Sequence, residues 1–268
     1  MDSVLRPLAE TYPQLYLTPG EEGAALYRGI VGRGEDAPAR SLDHFRGSPR
    51  DSVTTETTPA GEVQIVTLGD RQDFELFLQI MGNRCLPEEI PATQGASILD
   101  GVINWPKIRK HEEEYRDALI VLSTGPYSAV RAEEAGLGEE AWLDASYRIR
   151  KAHECTHFIC RRLYPDRINA IWDELVADAV GLYAAFGRYD LRLAERFLGV
   201  GPEGYTGGRL ENYAGDTDLN ELSKKVHRTL LHLEKVILGE GKTEPYALAL
   251  RLEEEIPVWT DGAGAGNR

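Results

Sequence analysis

Residues 153–178 read HECTHFICRRLYPDRINAIWDELVAD, and this stretch decides how the second half of the chain is built. It opens with His153 and His157, four apart, and closes with Glu174 and Asp178, again four apart. On a helix, residues so spaced lie on one face, one turn above each other. The two imidazoles therefore converge on a point where a metal ion can bind, and Glu154 flanks that point. Between the pairs, Tyr164-Pro165-Asp166 stops the helix, because proline disfavours a helical residue before it and cannot sit inside one.

Outward from the motif, Trp142, Ala145, Ile149, Ala152, Thr156, Cys160 and Leu163 fall at helical spacing and predict a helix from Trp142 to Leu163. A second helix is expected from about residue 167 to Phe186. Pro165 lies eight residues past His157 and nine before Glu174. If the helices fold back on each other, both groups stand roughly 12 Å from the turn at about 1.5 Å per residue. His153 and Asp178 are each one turn further out and share a level. The hairpin thus predicts His153, His157 and Glu174 as metal ligands, with Asp178 accepting the outward N–H of His153 and fixing its tautomer.

Burial points the same way. Glu174 and Asp178 line up with Ile171, Leu182 and Ala185, and the opposite face (Val176, Val180, Tyr183, Phe186) is also apolar. A helix apolar all round is buried. Carboxylates there cost several kcal/mol unless paired or bound to a cation. A metal resolves the conflict, and so would buried salt bridges to Arg148, Arg150 or Arg162.

H-E-x-x-H followed by E-x-x-A-D resembles the gluzincin metallopeptidases. It is most similar to their membrane-associated HtpX-type group, whose second helix continues with small and apolar residues as Glu174–Leu182 does here. The resemblance covers about 35 residues. It implies zinc held by His153, His157 and Glu174, Glu154 as general base, and Asp178 orienting a ligand. The gap between the motifs is shorter than in that group and closer to that of gluzincin aminopeptidases. No apolar run of 18 or more residues matches the group's membrane spans.

Three protein ligands leave one zinc position open. Zinc would acidify water and polarise a carbonyl, and Glu154 would take the proton and pass it to a leaving amine. That chemistry is hydrolysis of a peptide or other amide. A donor to the developing oxyanion is expected among Tyr205, Tyr213, His227 and His232, and no spacing selects one. His227 and His232 are five apart and share no face, so they are a poor metal pair. Cys155 points away from the metal face and Cys160 lies on the apolar stripe; with Cys85 they show no paired spacing and read as buried thiols. Two other readings remain open. A di-iron carboxylate protein could use Glu154-x-x-His157 but needs a second Glu-x-x-His, which the chain lacks. A non-catalytic binding module could keep the hairpin with a structural metal or none.

The chain has 268 residues and a net charge of −14. That charge argues against sequence-independent nucleic-acid binding and against anionic membrane surfaces. Met1–Pro7 lacks the basic and apolar regions of a signal peptide, so a cytoplasmic location is expected. The fold expected is α+β, a single zincin-like domain over 1–268: an extended segment over 1–60, an α/β part over 61–135, a helical metal-binding part over 136–258 and a disordered tail over 259–268. Within it, a short helix is expected at Val4–Tyr12, and Arg33 to Pro59, which has little periodicity, is expected to be extended and partly mobile. Strands are expected at Val63–Leu68 and Ala118–Ser123, with a helix capped by Asp70 running to Met81. By resemblance to zincins, Ala118–Ser123 or Ile98–Asn104 could hold a substrate by backbone pairing. A short charged helix is expected over Lys107–Glu114, a loop over Gly199–Gly215, a long helix over Asp218–Leu238 and a last one over Glu244–Glu255.

Overall fold

The computed structural model of the protein describes residues 2–111, 115–166 and 169–255. The chain forms two compact units, one gathering Met1–Thr57 with Gly61–Gly125, the other Thr58–Ala60 with the chain from Pro126 onward. The class is α+β, with a small mixed sheet in the N-terminal half and a mainly helical C-terminal half.

The first unit runs α1 (Asp2–Thr11), α2 (Glu21–Arg33), β1 (Ser52–Thr58), β2 (Gly61–Leu68), α3 (Arg71–Met81), β3 (Ala96–Ile103), α4 (Trp105–His111) and β4 (Arg116–Ser123). The strand order is β1-β2-β4-β3. β2 and β4 pair in parallel, with Ile65 opposite Ile120 and Val66 opposite Val121. Parallel neighbours need a long crossover, and α3, β3 and α4 supply it. β3 then pairs antiparallel to β4, with a bulge between Leu99 and Val102. Val66, Leu68, Leu119 and Val121 meet Phe74, Phe77 and Leu5 in one core. The cap read from sequence is present: the Asp70 carboxylate accepts from the backbone N–H of Gln72 and Asp73.

The first 60 residues differ from the extended segment expected. α2 and β1 occupy part of it. α2 carries Gly23, Gly29 and Gly32, which weaken its helical signal. β1 is a threonine run without apolar alternation. The stretch between them is tied down by carboxylates. Asp73 accepts from Arg46 N and Gly47 N at 2.9 and 2.8 Å, and Asp51 from Ser48 N and Gly69 N at 2.6 and 2.8 Å.

The second unit runs α5 (Ala132–Ala135), α6 (Glu139–Leu163), α7 (Ala170–Phe186), α8 (Leu191–Leu198), β5 (Val200–Gly201), β6 (Gly204–Tyr205), α9 (Glu211–Ala214), α10 (Leu219–Glu240) and α11 (Pro245–Glu253). α6 and α7 form the expected hairpin. The α7 start expected near residue 167 falls on residues outside the described ones; the helix described begins at Ala170, behind an Asn169 cap that accepts from Trp172 N. Gly181 lets the two helices touch, since a Cβ there would stand 2.9 Å from the Ile149 carbonyl oxygen. Trp142, Ile149, Leu175, Val176, Val180 and Leu182 pack with Phe197 and with the α10 stripe Leu222, Val226, Leu230, Leu233 and Ile237. The tail expected over 259–268 lies outside the described residues. β5, β6 and α9 occupy the expected loop over Gly199–Gly215, and α8 lies just before it. No helix of the described residues is long and apolar enough to cross a membrane.

Candidate metal centre

α6 presents His153 and His157 on one face, and α7 presents Glu174 and Asp178 opposite them. His153 Nε2 lies 3.0 Å from His157 Nε2. Glu174 reaches both, with Oε1 3.3 Å from His157 Nε2 and Oε2 3.6 Å from His153 Nε2. Among the described residues these three form the group whose donor atoms all lie within 4.8 Å of one another. Ligands about 2.0–2.2 Å from a tetrahedral ion stand about 3.3–3.6 Å apart, so the observed spacing suits a metal ion. The donor set, two imidazoles and a carboxylate, suits a divalent transition metal.

The tautomer needed for ligation is already set. His153 Nδ1 lies 3.0 Å from Asp178 Oδ1 and 2.9 Å from the Tyr127 hydroxyl. Tyr127 donates its own proton to Asp178 Oδ1 at 2.7 Å. Both oxygens thus face Nδ1 as acceptors, and Nδ1 carries the proton. The lone pair is left on Nε2, which faces His157 and Glu174.

Asp178 and His153 are buried, with 1% and 4% of their surface exposed. The cation that meets the carboxylates is Arg209, not the arginines expected on α6. Arg209 Nη1 donates to Glu174 Oε2 at 3.3 Å and Nη2 donates to Asp178 Oδ2. Its guanidinium lies over the Tyr127 ring at 5.3 Å. Of the arginines on α6, Arg148 pairs with Asp144, Arg150 donates to the Pro126 carbonyl and Arg162 lies over the Phe158 ring. Arg148 and Arg162 occupy other faces of the helix, and Arg150, on the histidine face, lies over the Tyr127 ring at 5.7 Å and is engaged by the Pro126 carbonyl, whereas Arg209 comes from the loop after β6. That loop folds back on the end of α8: Arg209 N donates to Phe197 O at 3.1 Å and Leu210 N to Leu198 O at 3.2 Å. Gly208 makes the approach possible, because a Cβ there would stand 2.3 Å from Gly199 N.

The electrostatics follow from this crowding. Burial alone would raise the pKa of Glu174, but the hydrogen bond from His157 and the charges of the imidazoles and Arg209 hold it well below the usual carboxylate range. Asp178 shows the same balance: burial pushes up, Arg209 and His153 push down further. Burial disfavours a charged His157, yet its hydrogen bond and charge interaction with Glu174, helped by Glu154, raise its pKa overall. Asp173, beside them on α7, is pushed up to about 6, chiefly by burial.

The other expected residues divide. Glu154 is half-buried, one residue along from His153, and acts on His157 through its charge. Tyr213 comes to the site: its hydroxyl reaches Glu174, and burial and that carboxylate raise its pKa. Tyr205 is engaged in its own loop, donating to Gly208 O at 2.8 Å. His227 Nδ1 lies 3.0 Å from Glu195, and His232 Nε2 lies 3.5 Å from Glu255. A cleft of about 370 Å³ opens onto His157, Glu174 and Asp173, with Arg161 and Tyr164 at its side. Tyr127 and Arg209 were not read from sequence. Arg209 had a signal, being the only cation between Gly199 and Gly215 in a loop that follows two buried carboxylates. Tyr127 had none beyond its place after Gly125-Pro126.

The profile of a family of unknown function, DUF7005, matches residues 25–114 and 108–243. The matches span most of both units, and the chain belongs to that family. No curated protein and no solved structure matches the chain.

Proposed function

We propose that the chain is a zinc-dependent hydrolase of the gluzincin kind that cleaves a peptide or other amide bond. The observation that carries the reading is the convergence of His153, His157 and Glu174 at the wall of an open cleft. Bound there, zinc would supply an acidified water and a polarised carbonyl. The chain's own groups do the rest. Glu154 accepts a proton from water and returns it to the leaving nitrogen. Asp178 and Tyr127 hold His153 with its lone pair inward. Arg209 keeps both carboxylates ionised. Tyr213 is the one candidate donor that reaches the site from the set Tyr205, Tyr213 and His227. A cytoplasmic setting belongs to the same proposal.

Arg209 also favours a second reading, a non-catalytic module whose buried carboxylates are satisfied by protein cations alone. The two differ in metal content. Protein purified without an immobilised-metal column is assayed by elemental mass spectrometry. The hydrolase reading expects about one zinc per chain, absent from His157→Ala. It further expects Glu154→Gln to keep the metal while amide hydrolysis falls at least about 100-fold. No metal uptake even after incubation with zinc would sink the hydrolase and leave the ion-pair module.

A further inference from the structure

A second cavity, of about 480 Å³, lies wholly within the first unit. Its size is that of a small-molecule site, for which roughly 300–1,000 Å³ is usual. One wall is α2, the other is β3, an outer strand of the sheet, and the turn after α3 closes one end. The body of the cavity is apolar, with Val31, Met81, Leu99 and Val102 among its lining. Three charged residues break that pattern, the exposed cations Arg28 from α2 and Arg84 from the turn, and one acid, Asp100 of β3, so the lining carries a net charge of +1. Neither arginine makes an ion pair or a side-chain hydrogen bond among the described residues. Elsewhere on the chain Arg33, Arg71, Arg196 and Arg251 each find a glutamate.

The turn that carries Arg84 is strained. Arg84 and Cys85 have φ of 55° and 63°, a conformation that costs non-glycine residues free energy. It persists because the structure around it holds it. Cys85 N donates to Gln79 O at 2.9 Å, Gly20 N donates to Cys85 O at 2.8 Å, and the Cys85 side chain is buried. Arg84 lines the cavity together with Tyr27, whose hydroxyl pKa burial pushes up, with the Arg84 charge acting the other way. Strain of this kind, kept where a glycine would relieve it, fits a position where the side chain itself is used.

We infer that this cavity binds a small organic anion, with an apolar body against α2 and β3 and an anionic head group held by Arg28 and Arg84. Guanidinium groups match carboxylate and phosphate geometry alike, so either head group fits. The inference is independent of the metal centre and does not rest on hydrolysis.

The test is calorimetric titration of the full chain, in a chelator so that no metal competes for the anion. Octyl phosphate, octanoate, inorganic phosphate and octanol are the probes. One octyl anion is expected to saturate at one site per chain, at least tenfold tighter than octanol or inorganic phosphate. The tighter of octyl phosphate and octanoate identifies the head group. Arg28→Gln and Arg84→Gln should each weaken it at least tenfold, with the circular dichroism spectrum unchanged. Arg84→Gly, which relieves the φ strain and cannot unfold the turn for lack of room, keeps the question open to measurement if Arg84→Gln folds poorly. Octanol binding as tightly as the anions, no saturable binding, or affinity unchanged in the arginine variants would each overturn the assignment.

Discussion

Glu174 and Asp178 bring two negative charges to one buried place and Arg209 brings one positive charge, which leaves one negative charge to be met by a protonated imidazole or a metal ion. Removing Arg209 strands a carboxylate without its cation. Arg209→Met should therefore cost about 3–5 kcal/mol in denaturant unfolding, as breaking buried pairs does. An unchanged midpoint would show the carboxylates to be satisfied otherwise. Tyr127→Phe removes the hydroxyl beside His153 Nδ1 and should weaken metal binding about 10-fold while leaving the helices intact. Two pH windows follow for the metal-free protein. His157 has a folded pKa raised above its ordinary 6.5, so the stability it contributes is full below 6.5 and is lost as pH rises through the folded value. Asp173 is raised from 3.8 to about 6, so it too favours folding at low pH, and that contribution is lost between those values. Unfolding followed from pH 4.5 to 9 in a chelator, at and above the unfolded pKa values of Glu174 and Asp178, should show stability falling in both windows. Asp173→Asn should remove the lower one alone.

The α6–α7 hairpin is the element that sets the site, and Gly181 sets the hairpin. A methyl group there meets the Ile149 carbonyl oxygen at 2.9 Å and Ile149 Cγ2 at 3.0 Å, in contact with backbone that has no room to yield. Gly181→Ala gains up to about 1 kcal/mol of helix propensity but should lose about 1–3 kcal/mol to overpacking, a net destabilisation, and metal affinity should fall with it. A more stable variant with unchanged affinity would show that the helices can separate freely. This hairpin was legible because its parts are local: spacing of four on each helix, a proline between, and equal distances from the turn. Asp70 and the α10 stripe were legible for the same reason. What escaped the sequence depends on distant chain. α2 holds three glycines and is kept helical by burying Ala24 and Ile30, not by propensity. α8, not expected from the sequence, does carry local signals, an Asp190 cap and a Gly199 stop. Arg209 reaches Glu174 across 35 residues and Tyr127 reaches Asp178 across 51, distances that no periodicity encodes.

Each unit has a core of its own, one around Phe74, Phe77 and Leu119, the other around Trp142, Val176 and Leu230. The His153–His157–Glu174 group belongs to the second. A ligand that binds only the folded state stabilises it by about 4 kcal/mol when present at a thousandfold its dissociation constant. Scanning calorimetry with and without zinc should therefore move the transition of the second unit upward and leave that of the first in place. A single transition that moves as a whole would mean that the units melt together. The thiols offer a finer view. Cys85, Cys155 and Cys160 are all buried and unpaired in disulfides, and burial pushes Cys85 up to about 12. A native thiol that is neither exposed nor ionised is mute towards an alkylating reagent. Cys85 sits in the first unit and the other two in the second, so the chain carries its own label at each place. The order in which the three acquire mass during a brief pulse of iodoacetamide is a clock for which half of the molecule opens first.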